Sequence, residues 1–408
     1  MHDYSILKRL PDKSHQWSAL FIILLSIAVN IPYLKRSYFP VHDTLSVFQF
    51  FSYYYSELLT HHELPWWLPA SAYGMPIDSY MLFSFGPFQY LVLGIGYLFH
   101  VQNALLLFSL SLIGDTLFFA FGAYLFCRHI LHDRLPTFIC VLSILVLVQY
   151  DRQIYWNFKL LLPIPLCLYW MQLAIERCNL GYLCLMFATL LSWAFGSIAY
   201  VLPVQFYVTI CYGLLFILFN LKMHHLRGSS LHQLFKQWVK NITQRENLLL
   251  LLAGLGIIGM CVYMMYSIKS VMMTDMAYNA IGRDANLGVG LDYYLNYGGN
   301  TGPEKITEFL NGLPTSHPHD FLAYIGLINV IFVLNSIFSK RKSPSQVALT
   351  LTALLVIIFT VTATGVAQIA YVLPGMNMVR HIGYFITIAK LLLIMLAGFG
   401  LQAYLHED

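Results

Sequence analysis

Apolar residues gather into long runs, and the polar residues between them are mostly confined to short connections. Runs at 17–31, 83–99, 104–126, 136–149, 160–176, 180–200, 201–220, 247–268, 321–338, 346–364 and 383–403 read as helices facing lipid or one another. Two long stretches, 35–84 and 269–320, are too polar to span a membrane. Within the first, 44–60 has helical periodicity: Ser46, Gln49, Ser52, Ser56 and Thr60 form a polar stripe, and Leu45, Phe48, Phe51, Tyr55 and Leu58 an apolar one. That pattern predicts an amphipathic helix at the membrane interface, starting at Thr44. Pro65-Trp66-Trp67-Leu68-Pro69 and Gly74-Met75-Pro76 then break regular structure, and the tryptophans suit headgroup depth.

Composition agrees with the pattern. Of 408 residues, 58% are hydrophobic, 16% aromatic and only 10% charged. A soluble domain carries roughly 25% charge, and a disordered chain would lack this apolar content. The apolar total suffices for about ten to twelve spans of ~20 residues. The expected fold is therefore an all-α polytopic transmembrane bundle, a single integral membrane domain over 1–408 with two long extracytoplasmic loops bearing interfacial helices. A net charge of +4 gives no nucleic-acid footprint, so the expected partners are membrane lipids and no nucleic acid. The seven cysteines lie mostly inside apolar runs with no CxxC pair, which excludes a disulfide framework and a thiolate zinc site.

The placement of charge orients the chain. Lys8, Arg9 and Lys13 precede the first run, and no small-residue cleavage site follows it, so the amino terminus is expected in the cytoplasm of a cell-membrane protein. Residues 222–246 carry Lys222, Arg227, Lys236, Lys240 and Arg245 against Glu246 alone, and Lys340-Arg341-Lys342 is again basic. By the positive-inside rule both are cytoplasmic. The stretches 269–320 and 365–382 are then external. Ten of the nineteen acids (Asp43, Glu57, Glu63, Asp78, Asp275, Asp284, Asp292, Glu304, Glu308, Asp320) fall in the two long external loops. Passing from an external 35–84 to an internal 222–246 takes an odd number of crossings, yet six runs lie between them. One of the six turns back or lies flat, and the candidates are 83–99, broken by Gly86-Pro87, and 160–176, with Pro163 and Pro165.

Few residues can carry chemistry. Asp43, beside His42, is either a general base or metal ligand at the outer surface, or simply the cap of the helix that follows. Asp78 is a second acid facing the same cavity or a loop residue, and no D-x-D or H-x-x-H spacing here assigns a metal. Arg380-His381 precedes the last run: its guanidinium either binds a phosphate or snorkels to headgroups. Asp115 and Lys390 lie inside apolar runs, where a charge faces a cavity or a partner; they pair with each other or couple protons to transport. The second loop holds Asp292-Tyr293-Tyr294 and His317-Pro318-His319-Asp320, the latter without helical ligand spacing. Gly254-Leu255-Gly256-Ile257-Ile258-Gly259 imitates a dinucleotide motif inside an apolar run, where glycine serves helix packing. With no nucleotide site visible, an energy-rich donor has to come from the membrane or the outer compartment.

Three patches carry a resemblance. Val41-His42-Asp43-Thr44 through Phe48-Gln49, Leu64-Pro65-Trp66-Trp67-Leu68-Pro69 and Tyr73-Gly74-Met75-Pro76 resemble the first external loop of the YfhO-type bacterial membrane proteins, within the GT-C superfamily of integral membrane glycosyltransferases. Ala323-Tyr324-Ile325-Gly326-Leu327 resembles the family's tyrosine-isoleucine-glycine entry to a span. Leu373-Pro374 through Val379-Arg380-His381-Ile382-Gly383-Tyr384 resembles its late proline–arginine segment. The family's second late arginine is unmatched near Gly383 and Tyr384, and its asparagine after the tryptophan is Leu68 here. The resemblance implies a GT-C-like bundle in which Asp43 activates an acceptor or helps hold a divalent metal. It implies His42, Gln49, Trp66, Asp78, Arg380 and His381 around the substrate. The implied donor is a polyprenyl-phosphate-linked sugar, and the implied acceptor a cell-envelope glycan or lipid. A transporter or flippase for a lipid-linked sugar, and a non-catalytic membrane scaffold, are the competing readings.

Overall fold

The computed structural model describes residues 13–34, 43–63, 65, 67–68, 75–76, 85–148, 160–194, 201–223, 236, 241, 245–275, 283–284, 288–296, 324–360, 365–379 and 382–406. Among the described residues the fold is all-helical apart from two two-residue strand pairings. In order come α1 (Lys13–Leu34), α2 (Asp43–His61), β1 (Trp67–Leu68), β2 (Met75–Pro76), α3 (Pro87–Leu98), α4 (Ala104–Ile130), α5 (Arg134–Val148), α6 (Ile164–Arg177) and α7 (Leu180–Ala194). Then follow α8 (Leu202–Met223), α9 (Arg245–Asp275), β3 (Arg283–Asp284), β4 (Gly288–Val289), α10 (Leu291–Asn296), α11 (Leu327–Phe338), α12 (Pro344–Thr360), α13 (Val366–Tyr371) and α14 (Ile386–His406). Each long apolar run of the sequence corresponds to one of these helices.

Three of the helices, Ala104–Ile130, Leu202–Asn220 and Ile386–His406, are long and apolar enough to cross a membrane, among the described residues. The longest, α4, starts where the Asn103 side chain accepts a hydrogen bond from the Leu106 amide at 3.1 Å, and it ends on Arg128 and His129, cations suited to a helix C-terminus. At the centre of the bundle α14 is buried from Ile386 to Leu401 and packs on α11, α12 and α5. Other helices turn large apolar side chains outward, α9 most clearly with Leu249, Leu252, Met260 and Tyr263. An outward apolar surface of this extent needs an apolar neighbour.

Helix ends collect at two sides. At one, here the turn end, the connections 131–133, 178–179 and 339–343 are short. His406 Nε2 meets Asp133 Oδ2 at 2.5 Å, the His132 amide donates to Gln402 Oε1 at 2.9 Å, and Asn335 Nδ2 donates to the Gly400 carbonyl at 2.8 Å. Gln346 Nε2 donates to both the carbonyl and the hydroxyl of Ser336, joining α12 to α11. At the opposite, loop end, the connections 35–86, 149–163, 195–201, 276–326 and 361–385 carry α2, α10, α13 and both strand pairings.

Helix α3 reaches only part of the way. Gln89 near its start bonds Ser111 and Asp115 of α4, while Gly96 near its end lies against Leu107. The two helices are thus antiparallel, and α3 covers only the loop-end half of α4. Twelve residues rise about 18 Å, so α3 begins at mid-depth and returns to the loop end. The run 83–99, one of the two candidates for turning back, is thus a short helix that starts at Gly86-Pro87 and lies along half of α4.

The amphipathic helix α2 begins at Asp43, one residue before the periodicity, and exposes Gln49, Ser56 and Thr60 as expected. Its apolar side differs from expectation. Val47, Phe48, Phe51, Tyr54 and Tyr55 are buried in a second, smaller core with Phe85, Val92, Leu93, Leu107, Phe108 and Leu112. Phe51 stacks edge-on to both Phe85 (5.6 Å) and Phe108 (5.5 Å). The stripe faces α3 and α4 because these half-length and full-length helices present aromatic rings that fit it.

Candidate functional site

Of the residues that sequence assigns to a site, Asp43 occupies the first position of α2, where the helix dipole favours an acid, and Gln49 is exposed two turns later. His42, Trp66, Asp78, Arg380 and His381 lie outside the described residues. Their immediate neighbours are placed. Trp67 pairs with Pro76 and Leu68 with Met75, so the tryptophan–proline and glycine–proline patches of the first loop meet as one antiparallel pair. Val379 and Ile382, which flank Arg380-His381, are both buried.

A roof stands over the loop end. Helix α10 rests on α13, β4 lies against the turn Met376–Met378, and the rings of Tyr294 and Tyr371 meet edge-on at 5.1 Å. The Tyr207 hydroxyl donates to the Pro374 carbonyl at 3.0 Å, tying this roof to the start of α8. Gly375 turns the chain with φ 78°, a left-handed conformation that a side chain would strain. Tyr294 is fully buried, and its hydroxyl has no hydrogen-bond partner. An unpaired buried hydroxyl costs about 1–3 kcal/mol. Burial, with the Tyr371 phenol beside it, pushes the Tyr294 hydroxyl well above the usual tyrosine range, so it remains a proton donor.

Beneath the loop end, a buried polar niche lies where α3 begins. Gln89 Oε1 accepts from the Gly86 amide at 2.6 Å, and Gln89 Nε2 donates to Ser111 Oγ at 2.9 Å and to Asp115 Oδ2 at 3.2 Å. Next to Asp115, Thr116 Oγ1 accepts from Asn30 Nδ2 at 3.1 Å and donates its own hydrogen bond to the Leu112 carbonyl. One glutamine therefore caps the half-helix and holds the acid. Lys390 is buried on α14; that helix and α4 both pack on α5.

Sequence reasoning passed over a second network, towards the turn end. His129 Nε2 meets Glu176 Oε2 at 2.7 Å, and Gln172 Nε2 donates to Glu176 Oε1 at 2.6 Å and to Ser345 Oγ at 3.1 Å. The Tyr212 hydroxyl donates to Gln172 Oε1 at 2.7 Å. Four helices (α4, α6, α8 and α12) share this chain of bonds. The only sequence signal was the i, i+4 spacing of Gln172 and Glu176.

Comparison of the chain with protein-family models, with curated proteins and with solved structures gave no match.

Proposed function

We propose that the chain is an integral membrane glycosyltransferase that moves a sugar from a polyprenyl-phosphate donor to a cell-envelope glycan or lipid on the outer side. The observation that carries this reading is the one-sidedness of the bundle. Three connections at one end (131–133, 178–179 and 339–343) are short turns, and the fourth, 224–244, lies mostly outside the described residues. The roof and α2, which hold or adjoin motif patches of the sequence, lie at the other end. An enzyme that meets a lipid substrate at one leaflet needs elaboration on that side alone. Arg128, Arg134, Arg177 and Lys340-Arg341-Lys342 surround the turn end, which supports a cytoplasmic orientation for it. On this reading α3 returns to its starting side and α4 to α8 count as the odd number of crossings that the orientation requires.

In this mechanism Asp43 takes the proton from an acceptor hydroxyl as its oxygen attacks the anomeric carbon. The bond to phosphate oxygen breaks with inversion, and Arg380, aided by His381, neutralises the leaving phosphate. A positioned base contributes roughly 10²–10⁴-fold to rate. Asp43→Asn is therefore expected to lower transfer from a lipid-phosphate sugar by at least about a hundredfold in purified protein. Undiminished turnover would remove the mechanism.

The polar niche favours a second reading, a transporter or flippase for a lipid-linked sugar. Helix starts at mid-depth recur at transport sites, and Asp115 of α4 bonds Gln89 at the start of the half-length α3. On that reading Asp115 and Lys390, rather than Asp43, are the sensitive positions, and vesicle uptake without hydrolysis is the assay.

A further inference from the structure

The roof contains one group that neither the bundle nor the mechanism uses. Tyr294 reaches its buried place from the second external loop, and its ring alone accounts for its packing against Tyr371. Phenylalanine would fill that space without leaving a hydroxyl unpaired. The roof segment it contacts, 365–379, runs directly into Arg380-His381. The orphan donor thus lies where two segments distant in sequence meet, on the segment that leads in sequence to the pair assigned to the substrate phosphate. Among the described residues, α10 and α13, of six residues each, pack on each other here, and a ring contact joins the two tyrosines.

We propose that the Tyr294 hydroxyl positions the donor substrate, giving its hydrogen bond to a phosphate or sugar oxygen when substrate parts α10 from α13. This rests on the glycosyltransferase reading above. The bound state then pairs a group that the free protein leaves unpaired, so binding gains what folding lacks. Tyr294 is a positioning residue here: it breaks no bond and moves no proton.

The test uses the full-length chain in nanodiscs, with undecaprenyl phosphate and undecaprenyl phosphoglucose as probes. Tyr294→Phe is expected to melt at the same temperature as wild type or higher, because it deletes only an unpaired group. Its affinity is expected to fall roughly tenfold, the worth of one hydrogen bond to a charged or polar ligand. A loss seen with both probes places the partner oxygen on phosphate, and a loss with the glycosylated probe alone places it on the sugar. A lower melting temperature without ligand, or unchanged affinity for both probes, overturns the assignment. Wild-type protein that binds neither probe overturns the glycosyltransferase reading itself, a result distinct from wild-type binding that the substitution leaves intact.

Discussion

The turn end and the loop end are built from the same kinds of residue and held in different ways. At the turn end, polar side chains cross-link neighbouring helices: Asn335 to Gly400, Gln346 to Ser336, His132 to Gln402, and Asn179 to Asn247. At the loop end, among the described residues, aromatic rings meet one another across elements, as with Phe51 between Phe85 and Phe108 and Tyr294 on Tyr371. Directional bonds fix a geometry, whereas ring contacts tolerate small displacements. The difference separates a rigid scaffold from a surface that can yield.

Substitutions can break that comparison. The largest effect is expected at Gly400 in the turn-end half, where an added Cβ would fall on the Phe332 carbonyl of α11. Gly400→Ala forces two central helices apart, costing about 3 kcal/mol or more, and should remove the folded peak in fluorescence-detected gel filtration. Next is Gly375→Ala in the roof, which places a side chain at φ 78° with Pro203 Cγ 3.0 Å from the new Cβ. It should cost about 1–2 kcal/mol yet lower turnover at least about tenfold well below the melting temperature, since the turn leads into Arg380. The smallest is His406→Ala. The pair with Asp133 is exposed, with side-chain accessibilities of 65% and 34%, so its loss should shift stability by less than about 1 kcal/mol and leave turnover alone. If His406→Ala impaired turnover while Gly375→Ala spared it, the division of labour would be reversed.

The helices were legible because apolar runs in a chain with this little charge have few alternatives. The half-helix was legible as an ambiguity: Gly86-Pro87 marked a break, but its depth depends on Gln89 meeting Asp115 across 26 residues, which no local pattern encodes. The apolar stripe of α2 was read correctly and its partner was not, because amphipathicity says that a face is covered and not by what. Asp43 and Gln49 could be named from the motif and are placed by α2. Tyr294 could be named only as part of Asp292-Tyr293-Tyr294, since an unpaired hydroxyl is a property of its surroundings. The chain of bonds joining His129, Glu176, Gln172, Ser345 and Tyr212 escaped notice for the same reason: its members come from four helices, and most are separated by dozens of positions.

The half-length of α3 also bears on how the protein is made. A segment of about 18 Å that opens on Gly86-Pro87 is too short to be released into a bilayer of about 30 Å as a span of its own. Its base carries Gln89, whose partners Ser111 and Asp115 belong to a helix that leaves the ribosome later. Until α4 has been inserted, that amide has no place in hydrocarbon. On the membrane reading proposed above, α3 therefore waits for the helix it precedes.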